Sequence, residues 1–259
     1  MGSSAEAIEL STEINLSKIA IVAHRGFWDC EHAQQSQNSL ASLSRAQEVK
    51  VWGSECDIHL TSDGKIIVNH DPKINGLVIN KTPFKTLAAQ LLNNGETRPS
   101  FDEYLKQAKK GSERTMLIVE LKKQSSKAIE DELVDKALEA IKARGLYDPA
   151  KVGFISFSMN ICEKIAAEAP EFLNQYLNGD LSPAKVAEKG INGIDYQQMV
   201  LFLHPNWVKE AHDLGMSVNI WTVNDEKDMQ HAIDLGVDAS AEDFVRAAKE
   251  RKLLQTREK

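Results

Sequence analysis

The stretch Val51-Trp52-Gly53-Ser54-Glu55-Cys56-Asp57-Ile58-His59-Leu60-Thr61-Ser62-Asp63-Gly64-Lys65-Ile66-Ile67-Val68-Asn69-His70-Asp71 contains two strand-forming runs, separated only by Thr61 to Gly64. So short a link cannot make a parallel crossover, but Asp-Gly suits a tight hairpin, so the second run doubles back on the first. Elsewhere short apolar runs alternate with amphipathic helical stretches. The strands expected are 19–23, 51–59, 115–120, 152–157, 172–177, 193–196, 217–223 and 237–241. Strands separated by helices point to a parallel sheet with right-handed crossovers, either closed as a barrel or open. In a barrel, the hairpin would lift His70-Asp71 above the C-terminal rim, where barrel active sites are built.

The neighbouring segments favour closure. From Ser126 to Arg144, apolar Ile129, Leu133, Ala137 and Ile141 recur at helical spacing, and Gly145 is a natural stop. Five times a helical pattern runs through a glycine into a strand, at Gly53, Gly145, Gly190, Gly215 and Gly236. Each glycine is expected to supply a left-handed helix cap. No G-x-G-x-x-G fingerprint follows the first strand, which removes the main support for a dinucleotide fold. The expected architecture is a (β/α)8 TIM barrel over residues 18–259 as one domain, with a hairpin extension after strand 2. Residues 1–17 form a lead-in, and the basic tail after Lys249 reads as a frayed helix end.

The 259 residues carry 31 basic and 38 acidic side chains, a formal charge of −7, with 42% hydrophobic and 27% charged residues. That composition is globular, and its acidic balance argues against a nucleic-acid binder. Three scattered cysteines, Cys30, Cys56 and Cys162, make neither a disulfide framework nor a zinc ribbon. No apolar run reaches the roughly 20 residues of a membrane helix, so stable membrane insertion is not expected. As it stands the chain reads as cytoplasmic, or as periplasmic or secreted where a leader has been removed; oligomeric state is not legible.

Four clusters fall at expected strand ends. His24-Arg25-Gly26 offers a proton carrier and a fixed cation suited to phosphate. Alternation puts Glu55 and Asp57 on one strand face and Cys56 on the other. Two inward acids repel unless neutralised, for which a divalent cation serves; the alternative is a solvent-facing pair on an edge strand. By the same alternation Glu120 and Lys122 share a face. There Glu120 can supply a third oxygen and Lys122 can pair with an anion, or the two form a simple ion pair. His70-Asp71 adds a second histidine, which forms an acid/base couple with the first or, taken by itself, is an exposed loop residue. The histidines at 32, 59, 204, 212 and 231 read as structural or solvent-facing. Oxygen-only ligands favour magnesium or calcium over zinc or copper.

These residues resemble the glycerophosphodiester phosphodiesterase family. The resemblance rests on His24-Arg25-Gly26, Gln37-Asn38-Ser39, Glu55-Cys56-Asp57, Thr61-Ser62-Asp63-Gly64, His70-Asp71, Pro99 to Leu105, Glu120-Leu121-Lys122, Ser156-Phe157-Ser158 and Trp221-Thr222-Val223-Asn224, and covers about residues 18 to 245. It implies a (β/α)8 barrel that hydrolyses glycerophosphodiesters to glycerol 3-phosphate and an alcohol, using one divalent cation, Mg2+ or Ca2+. It places the metal ligands on Glu55, Asp57 and Glu120 and the acid/base pair on His24 and His70. Arg25 and Lys122 would hold phosphate oxygens, and Trp221 would pack against the glycerol or fill the barrel mouth. Either water or the substrate's own neighbouring hydroxyl serves as attacker, and the roles of the two histidines are interchangeable at this level.

Two positions depart from the family pattern. Gln37 stands where glutamate is usual, and Glu242-Asp243-Phe244-Val245 replaces a late Thr-Asp-x-Pro. The stretch from Pro72 to Arg98 leaves room for a small lid, in which Asn75, Lys81 and Asn94 either touch a head group or are solvated. Competing readings are a phospholipase D-like barrel acting on lysophospholipids, against which the scattered cysteines argue, and a non-catalytic phosphodiester-binding barrel. An aldolase would need a lysine in an apolar strand, and Lys122 has acidic neighbours instead.

Overall fold

The computed structural model describes residues 19–242. Eight parallel strands close into a barrel in the order β1 (Ala20–Ala23), β2 (Gly53–Leu60), β6 (Met116–Leu121), β7 (Val152–Ser156), β8 (Asn174–Tyr176), β9 (Gly193–Gln197), β10 (Ser217–Trp221) and β11 (Ala239–Glu242). The seam closes because β1 pairs with β11 on one side and with β2 on the other. All eight expected strands are present with modest trimming at their ends. The lead-in at 1–17, the altered stretch from Asp243 and the tail after Lys249 lie outside the described residues.

Alternation along each strand sorts side chains into two layers. Outward residues such as Cys56, Ile58, Leu117, Val119, Leu121 and Phe154 pack against Leu133, Ala137 and Ile141 of the helix Lys127–Ala143 and against the helix Phe101–Lys110. A matching outer cluster joins Ile194, Tyr196, Val218 and Ile220 to Val208 and Ala211. The helix Lys127–Ala143 begins where Ser126 accepts a hydrogen bond from the Ile129 N–H and ends at Arg144, with Gly145 left-handed. Inside the barrel sits a thinner cluster of Ala20, Val22, Ile118, Ile155, Leu177, Ala239 and Ala241.

The hairpin forms as its turn chemistry dictates. Ile66–Val68 (β3) pairs antiparallel with β2 in the register Ile58↔Val68 and Leu60↔Ile66, and the Thr61 hydroxyl donates to Asp63 inside the turn. Beyond it a two-stranded ribbon, β4 (Lys73–Ile74) and β5 (Leu77–Val78), and a short helix (Phe84–Ala88) cover the rim. Ile67, Ile74, Ile79 and Leu87 fuse this cap into a small core of its own.

One expectation is corrected. Gly145, Gly190, Gly215 and Gly236 are left-handed, but Gly53 is not, because Lys50 takes that conformation after the helix Leu40–Glu48. Gly53 opens β2 instead, where a Cβ would approach Val22 Cγ2 at 3.3 Å, so its small size serves the β1–β2 seam.

Gly26 is the glycine on which the rim depends. Its φ is +78°, and a Cβ there would fall onto the Ser42 hydroxyl and within 2.7 Å of Ser42 Cβ. A left-handed non-glycine residue costs about 1–3 kcal/mol before any clash. Gly26→Ala is therefore expected to lower the urea midpoint by at least that equivalent with an unchanged slope; an unaltered midpoint would show that the turn relaxes freely.

Candidate active site

β2 builds the floor of the site. Glu55 and Asp57, two residues apart, point to the barrel axis, and Asp57 lies in register with Glu120 on β6. Oxygens of all three carboxylates fall within 4.8 Å of one another, and all three residues are buried. Lys122 extends from the end of β6 so that its Nζ lies 3.0 Å from Glu120 Oε1. The chain leaving β1 supplies the facing wall: the Arg25 N–H donates to Glu55 Oε2 at 3.0 Å, and His24 Nε2 lies 3.7 Å from the same oxygen. His70 arrives from the hairpin, its Nδ1 2.7 Å from Asp71 Oδ1.

His24, Arg25, Glu55, His70, Glu120, Lys122 and Trp221 all line one cavity of about 280 Å³, and Asp57 lies fully buried beneath them. The eight residues assigned to metal, acid/base and substrate roles from sequence thus lie together in one place. Trp221 sits edge-on to Phe157 at 5.9 Å and donates its indole N–H to the Asp195 carbonyl, which makes it a fixed wall. Gln37 accepts a 2.6 Å hydrogen bond from Arg25 Nη1, so the missing negative charge leaves a neutral clamp. Asn75 donates to Gln90 and Asn94 to Glu96, and neither these nor Lys81 lines the cavity.

The electrostatics follow from crowding acids away from water. Burial, followed by the charges of Asp57 and Glu120, raises the Glu55 pKa well above the usual carboxylate range. Glu120 is likewise raised, first by burial and then by Asp57. For Asp57 burial acts in the same direction, but the hydrogen bond with Glu120, together with Lys122, His70 and Asn38, outweighs it and holds the group low. Burial opposes the charge on Lys122, yet Glu120 and Asp57 lift its pKa. His70 is lowered, chiefly by burial. Glu55 Oε1 and Asp57 Oδ1 are buried without a hydrogen-bond partner. An all-oxygen set with orphaned acceptors fits a hard divalent cation such as magnesium or calcium.

Several supporting residues were not assigned a role from sequence. Asn38, left-handed at φ +54°, donates to Asp57 Oδ2 at 3.0 Å and accepts from the Asp57 N–H at 3.1 Å. Its only signal in the sequence is its place in the Gln37-Asn38-Ser39 motif. His59, buried on β2, faces the His70 carbonyl through Nε2 at 3.0 Å and Gln124 through Nδ1 at 3.3 Å. Burial lowers its pKa to about 4, so it is neutral and donates through Nε2. Gln124 also donates to the Lys122 carbonyl, tying both rim residues to one network. Of the remaining histidines, His212 pairs with Asp238, while His204 and His231 stack on Trp207 and Phe202.

Asp195 and Asn219, register partners on β9 and β10, also line the cavity. Burial alone lifts the Asp195 pKa to about 7. A carboxyl raised in the fold keeps its proton after the unfolded chain has lost it. The stability it contributes is complete below about pH 4 and is lost as pH rises through about 7. Asp195→Asn is therefore expected to flatten stability between pH 4 and 7 relative to wild type, the two curves diverging by at most ~1.4 kcal/mol per pH unit. Parallel urea-derived curves for the two proteins would show that Asp195 is already ionised in the fold.

The model of the glycerophosphoryl diester phosphodiesterase family matches residues 24–247. A crystal structure of a glycerophosphodiester phosphodiesterase from Parabacteroides distasonis is similar at a TM-score of 0.86 and 38% identity, covering 93% of this chain and 99% of that one. A glycerophosphodiester phosphodiesterase of Caldanaerobacter subterraneus subsp. tengcongensis is 25% identical over 234 residues, 85% of this chain and 92% of that protein. An Oleispira antarctica phosphodiesterase, solved with the product sn-glycerol-3-phosphate, shares the fold at a TM-score of 0.74 and 23% identity, covering 92% and 98% of the two chains.

Proposed function

Because this chain belongs to the glycerophosphoryl diester phosphodiesterase family, we propose that it hydrolyses glycerophosphodiesters to glycerol 3-phosphate and an alcohol, with one divalent cation, magnesium or calcium, held by Glu55, Asp57 and Glu120. The observation that carries this reading is the convergence of three buried carboxylates and two histidines on one cavity. Such a cation supplies charge neutralisation for a phosphate ester. The substrate is a small molecule, and among the described residues no helix is long and apolar enough to cross a membrane.

The chain's own residues divide the remaining work. Arg25, clamped by Gln37, and Lys122, held beside Glu120, present fixed positive charge to the non-bridging phosphate oxygens. Asp71 takes the Nδ1–H of His70, which leaves Nε2 as an acceptor for the proton of the attacking hydroxyl. His24, on the opposite wall beside Glu55, gives its proton to the departing alcohol oxygen. The Trp221 and Phe157 rings form an apolar wall that limits how the ester lies in the cavity.

Release of glycerol 3-phosphate from glycerophosphocholine and glycerophosphoethanolamine, with magnesium or calcium and with a chelator, tests this directly. Turnover that disappears with the chelator is expected, and no turnover with either metal would shift the assignment to a binding-only barrel. His70→Ala and Glu55→Ala are each expected to lower kcat by about 10²-fold or more, the usual scale for an acid/base group. Losses under about tenfold in both variants would show that the chemistry lies elsewhere.

A further inference from the structure

We infer that Asp195, assisted by Asn219, binds a hydroxyl group of the glycerol half of the substrate and so sets specificity on the side of the cavity away from the acids. This rests on the phosphodiesterase reading and deepens it. β9 lies four strands from β2 in either direction round the barrel, so Asp195 stands diametrically across from Glu55 and Asp57. The space between is hollow because its inner wall is built from short or aliphatic side chains: Val22, Ile118, Ile155, Leu177 and Ala241.

A carboxyl group in that position is unexpected unless something meets it. Asp195 is 5% exposed, and its Oδ1 has no hydrogen-bond partner among the described residues. Nor does any lysine or arginine among the described residues pair with it; Lys122, which lines the same cavity, pairs with Glu120. Buried polar groups are normally satisfied, and one that lines a cavity is satisfied by what enters it. The ligand must therefore offer a hydrogen-bond donor and be small enough to sit within about 280 Å³ with a phosphate at the carboxylate end. The aliphatic wall disfavours a second phosphate or another strongly hydrated charge. A short polyol meets both demands: its hydroxyls donate to Asp195 and its carbons lie on Leu177 and Ala241. Asn219 adds an amide able both to donate and to accept.

Calorimetric titration of the full-length protein in magnesium tests this without any turnover. The ligands are sn-glycerol 3-phosphate, 3-hydroxypropyl phosphate, 2-hydroxypropyl phosphate, ethanolamine phosphate and inorganic phosphate. Wild type is expected to bind glycerol 3-phosphate at least about tenfold tighter than one of the two deoxy analogues, since a site built for a hydroxyl rejects the ligand lacking it. Asp195→Leu should remove that gap while holding the affinity for inorganic phosphate within about twofold. Asp195→Asn keeps an acceptor oxygen and should keep the gap. Where leucine prevents folding, Asp195→Ser gives the same comparison without added bulk.

A gap that survives in Asp195→Leu or Asp195→Ser overturns the assignment. So does a matched weakening of glycerol 3-phosphate and inorganic phosphate, which would mark a structural role. Preferred binding of ethanolamine phosphate that depends on Asp195 overturns it too, because the donor would then be an ammonium of the alcohol half. Discrimination without hydrolysis of any glycerophosphodiester would sink the phosphodiesterase reading alone. Hydrolysis with an undiminished gap in the variants would sink this inference alone.

Discussion

Everything at the rim answers to the burial of Glu55, Asp57 and Glu120 on two adjacent strands. An isolated buried carboxylate is strongly unfavourable, and three with oxygens within 4.8 Å of one another are worse. The fold offsets this with named groups: the Arg25 N–H on Glu55, the Asn38 amide on Asp57 and the Lys122 ammonium on Glu120. Two orphaned oxygens remain after those contacts, an imbalance that the proposed divalent cation would correct. A site built for stability alone would have ended with aliphatic side chains such as Val22, Ile118 and Ile155, which share the barrel interior.

The same demand explains why one strand does so much. Inward residues of β2 supply two of the acids, while outward Cys56 and Ile58 hold the strand against the helices. Further along, His59 shares the strand face of Glu55 and Asp57 and carries a polar network. Neutral and buried, it fixes the His70 carbonyl, and through Gln124 it reaches the Lys122 carbonyl. The antiparallel β3 brings His70 back over the rim within that network. The geometry of the proposed site is thus set by backbone anchoring rather than by long flexible side chains.

Much of this is legible in the amino-acid sequence, because period-two alternation decides which side of a strand a residue faces. Glu55 and Asp57 inward with Cys56 outward, and Glu120 inward with Leu121 outward, follow from that rule. The hairpin was equally legible from Asp63-Gly64, whose turn chemistry is local. What escaped was everything decided by packing between distant strands. Asp195 reads as an ordinary polar residue until the short inner side chains of β1 and β11 open a hollow before it. Asn38 reads only as part of a family motif until β2 brings Asp57 against it. Gly53 reads as a helix cap, and only the approach of Val22 reveals a seam residue.

That seam has a consequence for how the molecule is assembled. β1 bonds to β11, a partner 219 positions later in the chain, while its contact with β2 spans only two register pairs. Loop-closure entropy makes so distant a pairing costly, and it becomes available only when the C-terminal strand has been synthesised. The three acids, by contrast, come from neighbouring strands in the first half of the chain. During synthesis the acidic half-site therefore exists on an open sheet before the wall containing Asp195 and Trp221 is present to enclose it. Water reaches an open half-site, so the low-dielectric environment on which the roles proposed for Arg25 and Lys122 depend arises only with closure of the ring. Chemical competence is in this sense a property of the last strand to arrive, although that strand contributes none of the charged groups to which the chemistry is assigned.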